Sequence, residues 1–324
     1  MPGIGNSNRT LVGCMTLLIA LTLSGCSIFV PEIESAVEPE IAAVPTEVES
    51  PQPAKLPLER PRMPPVAIVL TNSQPAFLDV ANALTAQLDD IEVYDLSANS
   101  QPPVSVLRAI NDSDSGVVVA IGLRAAKSSV AMADAPVVFS QVFNYQDYGL
   151  LTANSRGVAA LAPLDAQLVA WTNIDAGISR VGIIVGEGHD DLIAEAQLAA
   201  EKHKVELRVR IAHSDQETIY MFRRMAQDID GFWLFPDNRI LSARSLQQIL
   251  ATAKRRKVSV VVPNDSVLKM GGTISITTQA EDVAATIARV VRQIYADGLQ
   301  SVPAISPLSA IRVVTRDGSQ VVSR

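Results

Sequence analysis

Two turns in the second half of the chain carry side chains suited to holding a small polar molecule, Pro236-Asp237-Asn238 and Pro263-Asn264-Asp265. Each ends an apolar run, Gly231 to Phe235 and Val258 to Val262, and each sets a carboxylate beside an amide. Earlier apolar runs end in related turns: Asn72, Ser73 and Gln74; Gly122 and Arg124; Gln141, Asn144 and Tyr145; Glu187 and His189. Pockets need a few placed polar groups on an apolar wall, and helix N-termini add free amide donors that suit a carboxylate or phosphate. The same residue types are ordinary N-caps, and capping is the simpler account of any one of them alone. Phe143, Tyr145 and Tyr148 fall within six positions, where they either stack on a flat ligand or anchor the loop. Trp233 lies inside a strand and reads as core.

Catalytic patterns are missing. There is no Gly-x-Ser-x-Gly elbow, and Gly186-Glu187-Gly188 followed by Asp191 lacks the third glycine of a dinucleotide turn. His189, His203 and His213 are the only histidines and show no metal-ligand spacing. His203 and His213 flank a strand and read as surface residues. His189 with Asp190 and Asp191 reads as a helix start, where acids suit the dipole. The expectation is a protein with no catalytic residue, no metal and no cofactor.

The elements that position these turns alternate strand and helix. Strands are expected at Val66 to Leu70, Ile91 to Leu96, Val117 to Ile121, Pro136 to Val142 and Gly157 to Leu161, with helices opening at Asn72, Val104 and Gly122. A helix from Pro163 leads to a second series, with strands at Val181 to Val185, Val205 to Ile211, Gly231 to Phe235 and Val258 to Val262. One helix, Ser242 to Arg256, joins the last two, so they lie parallel and both turns fall on one sheet edge. A short strand Thr273 to Thr277, an amphipathic helix Glu281 to Tyr295 and a strand Ile311 to Thr315 complete the chain. The fold class is α/β, with two doubly wound parallel-sheet lobes, a central cleft and a hinge.

The amino terminus reads as an export signal. Leu11 to Leu23 is an apolar run too short to span a bilayer, and Leu23-Ser24-Gly25-Cys26 resembles the bacterial lipobox. Residues 1–25 are therefore expected to leave as a signal peptide, with Cys26 the lipid-attachment residue. Ser27 after it favours the outer membrane in Gram-negative sorting. Residues 26–65 read as a tether, since they hold nine of the nineteen prolines and seven glutamates against three basic residues and cannot bury a core. Flexible, it spans roughly 35 Å, and stretched it approaches about 120 Å. With a net charge of -7 and a pI of 5.1, a nucleic-acid or anionic-lipid surface is excluded, and Lys254 to Lys257 reads as a solvated helix end. Cys14 and Cys26 are the only cysteines, so the body has no disulfide.

The linked series Val119-Ala120-Ile121-Gly122, Pro136 to Phe139, Arg180 to Ile184, Asp230 to Asp237, Val260 to Pro263, Gly271 to Thr277 and Glu281 to Gly298 resembles a bacterial family. It is the family of ABC-transporter substrate-binding proteins related to tryptophan and tyrosine binders, with the type I periplasmic binding fold. The resemblance implies an N-terminal lobe of 66–160 plus 277–304, a C-terminal lobe of 161–276 plus 305–324, and a hinge near Leu161, Ile276 and Ser306. It implies that the strand-end turns converge on a cleft and hold a small-molecule ligand, amino-acid-like at the simplest. Asp237, Asn238, Asn264 and Asp265 are expected to face Asn72 to Gln74 and Asn144 across the gap. The implied partner is an ABC permease; the alternative is another envelope protein, with the fold serving as a regulatory or scaffolding module. Where the family commonly has Thr-Asp-Pro after its fourth strand, this chain reads Phe143 to Tyr148, so ligand identity does not carry over.

Overall fold

In the computed structural model, residues 63–97, 102–318 and 320–323 are described; the signal segment, Cys26 and the tether up to residue 62 lie outside them. The first lobe begins as β1 (Val66–Leu70), α1 (Pro75–Thr85), β2 (Ile91–Asp95), α2 (Pro103–Asn111), β3 (Val117–Ile121), α3 (Leu123–Met132), β4 (Val137–Ser140) and β5 (Ser155–Val158). β1 and β3 are buried along their whole length, as continuous apolar runs in a parallel sheet covered on both faces must be. The second lobe follows as α4 (Leu164–Ile174), β6 (Arg180–Val185), α5 (Asp190–Lys202), β7 (Glu206–Ile211) and α6 (Asp215–Met225). It continues through β8 (Gly231–Trp233), α7 (Ala243–Arg256), β9 (Ser259–Val262), α8 (Asp265–Met270) and β10 (Ile274–Thr277). The chain then recrosses: α9 (Ala280–Asp297) and β11 (Ile305–Ser306) join the first lobe, and β12 (Ile311–Thr315) and β13 (Gln320–Ser323) join the second.

The sheet orders are β11-β5-β4-β3-β1-β2, all parallel, and β13-β12-β10-β9-β8-β6-β7, antiparallel only at β12 and β13. Each lobe has an apolar layer on both sheet faces. In the first, α9 turns Val283, Ile287, Val290, Val291 and Ile294 toward β1, β3 and α1, a spacing that keeps one helical stripe buried.

Several boundaries differ from the sequence reading for local reasons. β4 stops at Ser140, short of Val142, because Gln141 takes a left-handed backbone (φ 60). β8 ends at Trp233 rather than Phe235, just before Pro236, which has no N–H to donate. The turn at Asn264 is a helix start, with Asn264 Oδ1 accepting from Val267 N at 2.9 Å to cap α8. Ile305 pairs with Gly157, so the last crossing lies after Ser306, beyond the 304/305 boundary expected between lobes.

Trp233 is core, as its place in a strand implies. It is 1 % exposed, meets Trp171 edge-on, and donates from Nε1 to Gln167 Oε1 at 3.0 Å. Gln167 in turn donates to Ala162 O at 2.7 Å, tying this core to the first crossing segment. Trp233→Ala is expected to cost about 3–5 kcal/mol in urea unfolding, since it opens a cavity and orphans a buried amide. A loss below about 1 kcal/mol would contradict that role.

Candidate ligand cleft

Both sheets reverse their winding, the first between β1 and β3 and the second between β6 and β8. Open α/β sheets take ligands at such crevices. Here the chain fills both of them itself. Thr71 Oγ1 accepts from Ala125 N at 3.1 Å, and a Cβ on Gly122 (φ 86) would lie 2.7 Å from that oxygen. Across the second crevice Asp237 Oδ2 accepts from Gly186 N at 2.9 Å, where a Cβ on Gly186 would lie 2.8 Å from the same oxygen.

Asp237 is the centre of a clasp between the lobes. It is fully buried, and Arg239 donates to both of its oxygens, from Nε at 2.9 Å and from Nη2 at 2.7 Å. From the first lobe, Asn144 Nδ2 donates to Asp237 Oδ1 at 3.0 Å and to Asn238 Oδ1 at 3.1 Å. An ionised carboxylate only accepts, so the Asn144 amide must turn its nitrogen that way and its oxygen toward His189. His189 Nε2 lies 3.0 Å from that oxygen and 3.3 Å from Asp237 Oδ2, which places its proton on Nε2. A second strap joins Asp147 Oδ2 to Arg239 Nη1 at 2.7 Å. Burial alone would raise the Asp237 pKa, but the Arg239 guanidinium, His189 and the Gly186 N–H together hold it well below the usual carboxylate range.

Beside the clasp, two adjoining cavities of about 420 and 300 Å³ lie between the lobes. The walls of the larger are somewhat more apolar than polar and those of the smaller are evenly mixed, and Gln141, Ala160, Leu161, Pro263 and Asn264 line both. Gln141 is the notable polar group. A non-glycine residue held at φ 60 is costly, and its side-chain amide has no protein partner among the described residues. Asp265 and Arg312 mark one end of the larger cavity. Arg312 Nη1 donates to Asp265 Oδ2 at 2.8 Å, and Ser275 Oγ to Oδ1 at 2.7 Å. Burial opposes ionisation of Asp265, yet Arg312 and Ser275 lower its pKa.

The other residues singled out by sequence fall in several places. Asn72 Oδ1 accepts from Gln74 N at 3.0 Å and exposed Ser73 bonds Asp95, so Asn72 to Gln74 form a turn beside the cleft while Pro75 and Ala76 line it. Gly122 starts α3, where Leu123 reaches the cleft and Arg124 faces solvent. Glu187 is exposed: its carbonyl oxygen accepts from Arg239 Nη1 at 2.9 Å, and its carboxylate lies 3.6 Å from His213 Nδ1, away from the cleft lining. Tyr145 packs on Phe139 and lines a separate cavity behind the cleft; burial, and then the Asp191 carboxylate, raise its pKa. His189 sits at the N-cap of α5 but caps nothing with its side chain. His203 pairs with the exposed Asp165 at 2.8 Å at the protein surface. Arg239, Asp147 and Arg312 went unnoticed in the sequence, although Asp237-Asn238-Arg239 carries the opposite charges two residues apart.

This two-lobed α/β architecture, with a walled cleft at the strand ends, defines a solute-binding class of protein. The chain matches the family model described as ABC transporter substrate binding protein over residues 66–302, and it belongs to that family. Membership implies a periplasmic, cell-envelope location, and among the described residues no helix is long and apolar enough to cross a membrane. The chain is similar in fold to a conserved domain protein from Vibrio cholerae (18% identity, TM-score 0.54, 77% of this chain and 90% of that one). It is also similar to an ABC domain in complex with L-Trp from Streptococcus pneumonia (15%, 0.54, 77% and 91%). A third likeness is to a ligand-free, open substrate-binding protein with adhesive properties from Clostridium difficile (13%, 0.60, 78% and 92%). No curated protein sequence gives a significant match.

Proposed function

We propose that the protein is a lipid-anchored envelope binding protein that captures a small molecule between its lobes for an ABC-type uptake system. The observation that carries this reading is the pair of adjoining cavities sharing Gln141, which is left-handed and whose side-chain amide has no protein partner among the described residues. With Gln141, Asn264 and the Asp265–Arg312 pair set among apolar residues such as Leu161, Phe235 and Ile276, the cleft suits a ligand with both donor and acceptor groups on an apolar body, as an amino-acid-like molecule has. No catalytic step is assigned to any residue. Attachment through Cys26, and outer-membrane sorting through Ser27, rest on the Leu23-Ser24-Gly25-Cys26 pattern. Mass analysis of the mature amino terminus tests that attachment.

The test of capture is a melting-temperature screen of the full-length protein against amino acids, nucleobases and small acids. A ligand present at roughly a hundred times its Kd adds about 2.7 kcal/mol to the folded state, a shift of several degrees. Gln141→Ala is expected to weaken that ligand about tenfold without lowering the unliganded melting temperature. Failure of the whole panel, or indifference to Gln141→Ala, counts against the reading. A second reading, an outer-membrane lipoprotein whose fold serves as a regulatory or scaffolding module, is favoured by one observation: Asn144 of the first lobe donates directly to both Asp237 and Asn238 of the second, so these polar groups hold the lobes to each other. Pull-down from envelope fractions separates the two, since a transport binder brings permease subunits and a scaffold brings other envelope proteins.

A further inference from the structure

A third cavity, of about 290 Å³, lies on the other side of the first crossing segment from the cleft. Both lobes and the hinge build it. Phe143 and Tyr145 come from the first lobe, Asp191, Leu192 and Glu195 from α5, and Ala159 to Leu164 with Leu308 from the crossings. Val142, Phe143, Ala160 and Leu161 line the smaller cleft cavity as well, so the two spaces share a wall, while Tyr145, Gln146, His189, Asp191, Leu192 and Glu195 line the third cavity and neither cleft cavity. Its size is at the bottom of the range for small-molecule sites.

The chemistry of the walls is one-sided. The floor is aliphatic and the flank aromatic, while the polar groups are Tyr145, Gln146, His189, Asp191 and Glu195; among the described residues no Lys or Arg lines it. Asp191 and Glu195 stand one helical turn apart on the same face of α5, with no ion pair among the described residues; Glu195 Oε1 accepts from Leu164 N at a long 3.4 Å. Asp190 beside them already serves the helix dipole, yet it is Asp191 that borders the cavity. His189 is 4 % exposed, and with Nε2 committed to Asn144 its Nδ1 is an acceptor without a protein partner among the described residues.

We infer that this cavity is a second ligand site, distinct from the cleft, for a small monoamine with an aromatic or branched apolar body. The body fills the space between Phe143, Leu161 and Leu192, and the ammonium group meets Asp191 and Glu195. An anion of the same shape finds two carboxylates and no cation. Because both lobes supply the walls, the site exists as a whole only while the lobes stay together, so its ligand stabilises the clasped form.

The probe is phenethylamine, titrated calorimetrically into the full-length protein beside 3-phenylpropionate as the anionic counterpart. Phenethylamine is expected to bind one to one, and 3-phenylpropionate at least about tenfold more weakly. The double variant Asp191→Asn with Glu195→Gln changes only exposed side chains and is expected to weaken the amine about tenfold, whereas Gln141→Ala in the cleft leaves it within about twofold. No binding at about 10 mM, equal binding of the acid, or an affinity unchanged by the double variant would overturn the proposal. Loss through Gln141→Ala instead would place the amine in the cleft and overturn it as well.

Discussion

Asp237→Ala is expected to lower the unfolding free energy by about 3–5 kcal/mol and to separate the lobes. The carboxylate is fully buried and receives donors from Gly186, Arg239 and Asn144. Removing it leaves a backbone N–H and a guanidinium without their acceptor, and frees His189 from its charged neighbour at 3.3 Å. The Arg239 side chain retains 28% exposure and can turn to water, so the lower end of that range is the better figure. Arg239→Ala strands the charge of Asp237 instead, and an effect of the same order follows. Asn144→Ala removes only neutral donors and an acceptor and costs about 1 kcal/mol, because the lobes part there and water replaces them. Urea unfolding measures the energies, and small-angle scattering measures the opening as a larger radius for Asp237→Ala. If that variant loses less than about 1 kcal/mol and keeps the wild-type radius, the clasp does not hold the lobes.

The strand and helix alternation was legible because buried parallel strands must be continuous apolar runs: Val117 to Ile121 and Ile311 to Thr315 have the bounds the sequence implies. What failed at the ends of elements was backbone geometry. Nothing in the residue type of Gln141 announces a left-handed turn, and β11 is only two residues long. The hinge-side return of the chain was implied by family likeness, with its last crossing near Ser306, and pairing of Ile305 with Gly157 and Ser306 with Val158 carries the first lobe two residues past the expected 304/305 boundary. At the site, residue type identified Asp237, Asn238 and Asn144 as polar strand-end groups but could not say whether they face a ligand or one another. That depends on a contact across 93 positions of chain, between Asn144 and Asp237, which local pattern does not encode. Arg239 was hidden for a related reason. In sequence it is one more base in a turn, and only the crevice beside Gly186 makes it the counter-ion of a buried acid.

Acid is expected to undo the clasp, and Asp237 carries most of the effect. Its folded pKa lies well below the value of about 3.9 for an unfolded aspartate, so the stability it contributes is complete above that value and is lost as pH falls toward the folded pKa. Asp230, lowered to about 2 by Arg180 and Ser179 on a partly exposed edge, adds a smaller loss of the same sign. The charge is isolated by comparing wild type with Asp237→Asn, which keeps the shape and leaves the other carboxylates in place. Above about pH 4 the wild type is the more stable. Below it the gap narrows by up to about 1.4 kcal/mol per pH unit, because Asp237 takes up a proton when the wild type unfolds, which favours the unfolded chain, and the amide takes up none. Urea unfolding at a series of pH values reads the difference directly. A gap that stays constant from neutral pH to about pH 2 would mean that the Asp237 charge contributes nothing to holding the lobes together.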